Sequence, residues 1–244
     1  MVNMNSILSK LATYYMKLEQ WLKKHRYLLF IGVAIFFILA VMNCFMVMSK
    51  ADDEKRIIVI DPGHGGNDPG KVGSSGCYEK DINMEIAIKL KDSLEEYGFT
   101  VVLTRESDTN LATEGATNKK TSDMHNRVEL INEAKADCFI SIHQNSYTDP
   151  DVKGAQVFYY SQSAESEELA TVLQRFLVDK VDSDNNRKIK AGDEYYILKK
   201  TTCPGVIIEC GFLSCPWEEA MLLDENYQEK LADAISEAIY EIYK

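Results

Sequence analysis

The chain has 244 residues, 45% of them apolar and 27% charged, with a formal net charge of −11. This is the composition of an ordinary globular protein and excludes a disordered or collagen-like chain. The acidity lies after residue 50, where 21 Lys and Arg face 37 Asp and Glu for a formal charge of −16, so a nucleic-acid partner, which needs a basic face, is excluded.

The first feature in chain order is an uncharged run of 22 residues from Tyr27 to Met48, YLLFIGVAIFFILAVMNCFMVM. That is long enough to cross a bilayer core of roughly 30 Å as a helix. Lys23, Lys24, His25 and Arg26 precede it and a mixed-sign segment follows, which by the positive-inside bias keeps residues 1–26 in the cytoplasm. The expectation is a single-pass membrane protein: a cytoplasmic segment 1–26, an anchor 27–48, a linker 49–56 and a catalytic domain 57–244 outside the cytoplasm. A cleavable signal peptide is the competing reading, but the run exceeds the usual apolar length of about 7–15 residues and no A-x-A-like site follows. Cys44 is read as a plain thiol in lipid, because Asn43 stands before it where a lipoprotein signal needs a small residue.

Cys77, Cys138, Cys203, Cys210 and Cys215 follow the run. Their odd number and the lack of a C-x-x-C pair argue against a disulfide framework or a structural zinc knot. Cys138 and Cys210 lie in or beside apolar runs and read as core residues.

Residues 57–60 (IIVI) form a short apolar run ending at Asp61-Pro62-Gly63, which predicts a buried strand leading into a loop. A glycine-rich loop extends to Asp81, read as the cap of a helix that carries Ile82, Ile86, Leu90 and Leu94 and stops at Gly98. Residues 99–104 predict a strand, 105–121 a surface loop, and Ser122 the cap of a helix buried through Val128, Leu130 and Ile131. Further strands are predicted at 138–143, 155–160, 195–198 and 205–210, with helices at about 165–181 and 226–243. Strands alternating with helices imply one α/β domain with a mostly parallel sheet flanked by helices.

In such a sheet, functional groups gather at the carboxyl ends of strands. Three polar residues stand there: His64 in DPGHGG, His143 in ISIHQN and Glu209 in VIIECG. A carboxylate after four apolar residues is costly unless paired, and a metal is an adequate partner. Exported hydrolytic sites commonly hold zinc with three His, Asp or Glu ligands and leave a fourth position for water. Two histidines need one further ligand. Asp61 and Asp68 flank His64 too closely to curl round the same ion, and Asp61 reads as a structural or ligand-orienting group. Glu79 and Asp81 both remain open on spacing, although Asp81 has the alternative reading as a helix cap.

Four segments in order, IVIDPGHGGNDPG, YEKDINMEIAIKL, ADCFISIHQNS and PGVIIECGFLSCPWEE, resemble the successive motifs of the zinc-dependent N-acetylmuramoyl-L-alanine amidases across nearly the whole exported domain. The resemblance implies that His64, Glu79 and His143 bind one Zn2+, that Glu209 is the catalytic acid/base, and that peptidoglycan is the substrate. Cys215 after GFLS and Gln144 after His143 depart from the family pattern. Both bear on substrate fit, and neither is a proposed ligand. A stand-alone catalytic domain behind an amino-terminal anchor resembles the germination-specific amidases of spore formers, which act on the spore cortex together with a deacetylase; a vegetative wall amidase is the alternative. A ligand on a flexible glycine loop also leads to the expectation of an accessory protein that activates or loads the site. A zinc peptidase of similar architecture is the rival enzyme class. A polysaccharide deacetylase is disfavoured because no Asp-Asp pair with a downstream H-x-x-x-H is present.

Overall fold

The computed structural model describes residues 4–51 and 55–244; of the predicted linker, residues 52–54 lie outside the described residues, as do the side chains of Asn43 and Cys44. The chain divides into two compact units, 1–54 and 55–244. The first is a helix, α1 (Met4–Ala51), so the predicted linker begins helical. Among the described residues no single helix is long and apolar enough to cross a membrane. Ile7–Leu28 and Val33–Met42, bent by 45°, pass that test together on length and composition.

The second unit is built on a six-stranded sheet in the order β2-β1-β3-β6-β4-β5. Its strands are β1 (Ile57–Pro62), β2 (Thr100–Leu103), β3 (Cys138–Asn145), β4 (Gln156–Tyr159), β5 (Lys190–Ala191) and β6 (Gly205–Phe212). All ladders are parallel except β4 against β6, so the sheet is mixed. Helices α2 (Glu79–Glu96), α4 (Ala164–Phe176) and α7 (Glu225–Tyr243) are accompanied by α3 (Lys119–Glu133) and two shorter helices, α5 (Tyr196–Lys200) and α6 (Pro216–Leu222).

The period of two in each strand separates two cores. Ile58, Ile60, Cys138, Ile140, Ile142, Val206, Ile208 and Cys210 pack with Ile82, Ile86, Leu90, Leu173, Leu231 and Ile235 of α2, α4 and α7. Val59, Phe139 and Ile207 face the other way, onto Val128 and Ile131 of α3 and Ile197 and Leu198 of α5. Cys138 and Cys210 are fully buried, as their apolar settings predict.

Three local expectations are corrected. YYIL at 195–198 is not a strand: Tyr196 begins α5, and the sheet edge is taken by Lys190–Ala191 instead. A four-residue apolar run does not distinguish strand from helix by period, and here Tyr195 anchors it by an edge-to-face contact with Phe158 at 5.6 Å. Helix α3 is capped by Asn118, whose side chain accepts from the Thr121 amide at 3.0 Å, while Ser122 accepts from the Thr113 amide. Helix α2 begins at Glu79, with Tyr78 at the cap and Asp81 exposed in the first turn.

The second face carries a polar layer where it nears the strand ends. Asp61 is 1% exposed and accepts from Thr104 Oγ1 (2.6 Å), Ser141 Oγ (2.6 Å) and Arg127 Nη1 (2.6 Å). Burial alone would raise its pKa, but the Arg127 charge and the three hydrogen bonds outweigh that and hold it down at about 2. A carboxyl depressed from its ordinary 3.8 contributes stability that is complete above about pH 4 and lost as pH falls to about 2, worth about 2 kcal/mol. Asp61→Asn is expected to lower stability at pH 7 by about 3 kcal/mol, because Arg127 is left buried without its anion. The variant should also lack the acid-linked loss between pH 4 and pH 2. Urea denaturation followed by circular dichroism across that range checks both effects.

Candidate metal centre

Strand order reverses about β1: β2 lies on one side and β3 on the other, and the carboxyl ends of β1 and β3 form the crevice. His64 follows β1 and His143 lies near the end of β3, with Pro62 and Ile142 in register ahead of them. Their rings meet edge-on with centroids 4.9 Å apart. His64 is held in the left-handed region at φ 63°, an uncommon conformation for a residue with a side chain. Backbone contacts impose it. Arg127 donates to the carbonyls of Pro62 (2.9 Å) and His64 (2.6 Å), and Arg105 donates to those of Pro62 (2.9 Å), Gly63 (3.1 Å) and Lys80 (2.9 Å).

Glu79 enters from the start of α2 and is 2% exposed. One carboxylate oxygen lies 2.9 Å from His143 Nδ1 and the other 3.2 Å from His64 Nε2. The Lys71 amide (2.8 Å) and the Gln144 amide (3.1 Å) donate to the same carboxylate. Burial opposes its charge, but the hydrogen bonds and charges of the two histidines keep the carboxyl well below its usual range and ionised. The potential ligand atoms of His64, Glu79 and His143 all lie within 4.8 Å of one another. Behind them, His64 Nδ1 is 3.0 Å from Asp68 Oδ2, the carboxylate contact that commonly orients a metal-binding imidazole. Two nitrogens and a carboxylate converging from buried or half-buried positions suit a divalent metal of the borderline kind.

Backbone space is shaped to these side chains. A Cβ on Gly63 would overlap the His143 ring, and one on Gly70, itself at φ 69°, would crowd Glu79 Oε2 and His64. The glycine loop between them is pinned at its tip by Glu219 of α6, which accepts from Ser74 Oγ, the Ser75 amide (2.9 Å) and Cys77 Sγ (3.2 Å).

Glu209 on β6 stands in register with His143 on β3, so both side chains leave the same face of the sheet. It is 9% exposed, and its Oε2 is a buried oxygen with no hydrogen-bond partner among the described residues. Burial pushes its pKa up to about 7; His143 draws it down and the Glu79 carboxylate adds to the rise. An unpaired carboxyl with a value near neutrality is suited to accept and return a proton. Thus the structure gathers His64, Glu79, His143 and Glu209 into one place and leaves Asp81 exposed in the first turn of α2. His125 is exposed on α3.

Sequence reasoning missed Arg105, Arg127 and Asn83. Arg105 was expected to open a surface loop and is 4% exposed; Arg127 is 1% exposed and Asn83 fully buried. The signal for Arg127 was its place beside Val128 on the apolar stripe of α3, where a charge needs a partner. Asn83 donates to the Gly63 carbonyl at 3.1 Å and accepts from Gln144 Nε2 at 3.1 Å, which gives the unusual Gln144 a structural role.

A mixed α/β sheet with a His-Glu-His cluster that could hold a metal and an unpaired carboxyl at its switch point suits a hydrolase. The comparisons narrow this to one family. Residues 58–241 match the family described as N-acetylmuramoyl-L-alanine amidase. The chain is 42% identical over 187 residues to the germination-specific N-acetylmuramoyl-L-alanine amidase of Bacillus subtilis, covering 75% of this chain and 78% of the relative. It is 29% identical over 234 residues to the N-acetylmuramoyl-L-alanine amidase AmiA of Escherichia coli, covering 78% and 77%. Among solved structures, the CwlD amidase of Clostridioides difficile, in complex with the GerS lipoprotein, superposes with a TM-score of 0.75 at 41% identity, over 78% of this chain and 100% of that one. The chain belongs to the N-acetylmuramoyl-L-alanine amidase family and is an enzyme acting on peptidoglycan.

Gly63→Ala is expected to displace the His143 ring and weaken binding of a divalent metal by about tenfold or more while the fold is retained. Metal titration followed calorimetrically, with circular dichroism as the fold control, checks this.

Proposed function

We propose that the protein is a membrane-anchored zinc amidase of the spore cortex, cutting the amide between N-acetylmuramic acid and L-alanine. The observation that carries the chemistry is the convergence of His64, Glu79 and His143 beside the unpaired Glu209 oxygen. His64, Glu79 and His143 hold the zinc, and the donor set matches that metal's preference for nitrogen and oxygen ligands. Bound zinc supplies Lewis-acid polarisation of the scissile carbonyl and a more acidic water.

The remaining steps belong to side chains of this protein. Glu209 takes a proton from the attacking water on the oxygen that has no partner, and returns it to the leaving amine of L-alanine. Its position in register with His143 places that oxygen on the metal side of the sheet. Asp68 keeps His64 in one tautomer and orientation, and the Lys71 and Gln144 amides fix the position of the Glu79 carboxylate.

The cortex role is supported by the 42% identity to a germination-specific amidase; the resemblance to that subfamily further implies functional coupling to a peptidoglycan deacetylase. The anchor rests on the uncharged run 27–48 and its basic flank, which support a catalytic domain outside the cytoplasm. A lipoprotein bound to the C. difficile relative supports an accessory protein that activates this site or loads its metal.

Digestion of purified cortex peptidoglycan should release new amino-terminal L-alanine; new termini at other residues would point to a peptidase instead. Glu209→Gln should retain zinc and lose hydrolysis by about a thousandfold, whereas His143→Ala should lose both. Zinc content and end-group analysis on the two variants decide this, and equal metal loss in both would overturn the roles.

A further inference from the structure

A cavity of about 260 Å3 opens beside the metal-centre loop, lined by Asn67, Asp68, Asn110, Lys119, Lys120 and Asp123. Its two carboxylates are already engaged. Asp68 meets His64 and accepts from the Gly70 amide, and Asp123 accepts from Arg127 and the Leu111 amide. The groups left over are donors. Lys119 and Lys120 are exposed, and neither ammonium donates a hydrogen bond or closes an ion pair among the described residues. Asn110 spends its carbonyl on the Ala112 amide, while its Nδ2 has no acceptor.

Lys120 shares the field of the Asp68 carboxylate, while Lys119 and the Asn110 amide nitrogen have no partner among the described residues, and three such donors at one cavity suit an anion with several lone pairs. They stand out in a domain whose formal charge is −16. The cavity is coupled to the metal centre through one residue, Asp68, which lines it and also orients His64. The cavity therefore lies one side chain away from the candidate metal ligands. A peptide joined through its amino end to a muramic acid still carries free carboxylates along its length or at its carboxyl end.

We propose that this cavity is the subsite for a carboxylate of the substrate's peptide, with Lys119 and Lys120 as its specificity-determining cations. The proposal rests on the amidase reading of the neighbouring centre. It is tested by binding, so that it can fail separately from that reading.

The probes are muramoyl tripeptides with all carboxylates free, or with the side-chain or the carboxyl-terminal group converted in turn to a carboxamide. Calorimetric binding is measured with the full-length, zinc-loaded Glu209→Gln protein, which is not expected to cleave them. One of the two carboxamides should bind about tenfold more weakly than the free acid, as expected for two exposed charge pairs, and which one identifies the recognised carboxylate. Adding Lys119→Gln and Lys120→Gln should abolish that difference, with zinc content unchanged. Equal binding of all three probes, or a preference that survives loss of both lysines, would overturn the subsite. Failure of the parent protein to release L-alanine ends, with the carboxylate preference intact, would strike the amidase reading and spare the subsite.

Discussion

Three consecutive backbone carbonyls, those of Pro62, Gly63 and His64, turn away from solvent where β1 ends, and two buried arginines satisfy them. A strand end of this kind would otherwise leave acceptors without water, which is among the costlier defects a fold can carry. The arginines are themselves charges out of water, so the arrangement is stable only because Asp61 and Asp123 neutralise Arg127 and the carbonyls occupy the donors of Arg105. The position of His64, including its left-handed backbone, follows from this clamp.

The proposed ligands consequently rest on unequal supports. His143, with the proposed acid/base Glu209 beside it, leaves a hydrogen-bonded ladder in the middle of the sheet, whose register shifts only between His143 and Asn145. Glu79 stands at the junction of α2 with the glycine loop. Its carboxylate is fixed by the amides of Lys71 and Gln144, and the loop tip is tied down by a single carboxylate, Glu219. The loop tip is thus tied to α6, a short backbone path from Glu79.

Electrostatics separates the two glutamates that the sheet brings together. Glu79 is surrounded by donors and histidines and stays ionised, whereas Glu209 has a bare oxygen in a dry setting and is raised to about 7. The contrast is one of environment rather than residue type, and it supports the proposed division in which one carboxylate holds charge and the other moves a proton. The nearby lysines lie outside this balance, at a cavity whose own carboxylates are occupied.

By itself, the sequence determined what depends on short-range pattern. Short apolar runs ending in Asp61, His143 and Glu209 announced buried strands with polar ends, and the period of two then set those side chains on one face. Helical spacing gave α2 and α7, and the ordered motifs indicated the family. What tertiary structure decided were questions of partnership. Spacing left Glu79 and Asp81 open, and only the fold of the glycine loop turned Glu79 inward and left Asp81 exposed. YYIL had the composition of a strand, yet its fate hung on Lys190–Ala191 occupying the edge. Arg105, Arg127 and Asn83 read as ordinary polar residues because their worth lies in carbonyls and carboxylates up to 66 positions away, which no local pattern encodes.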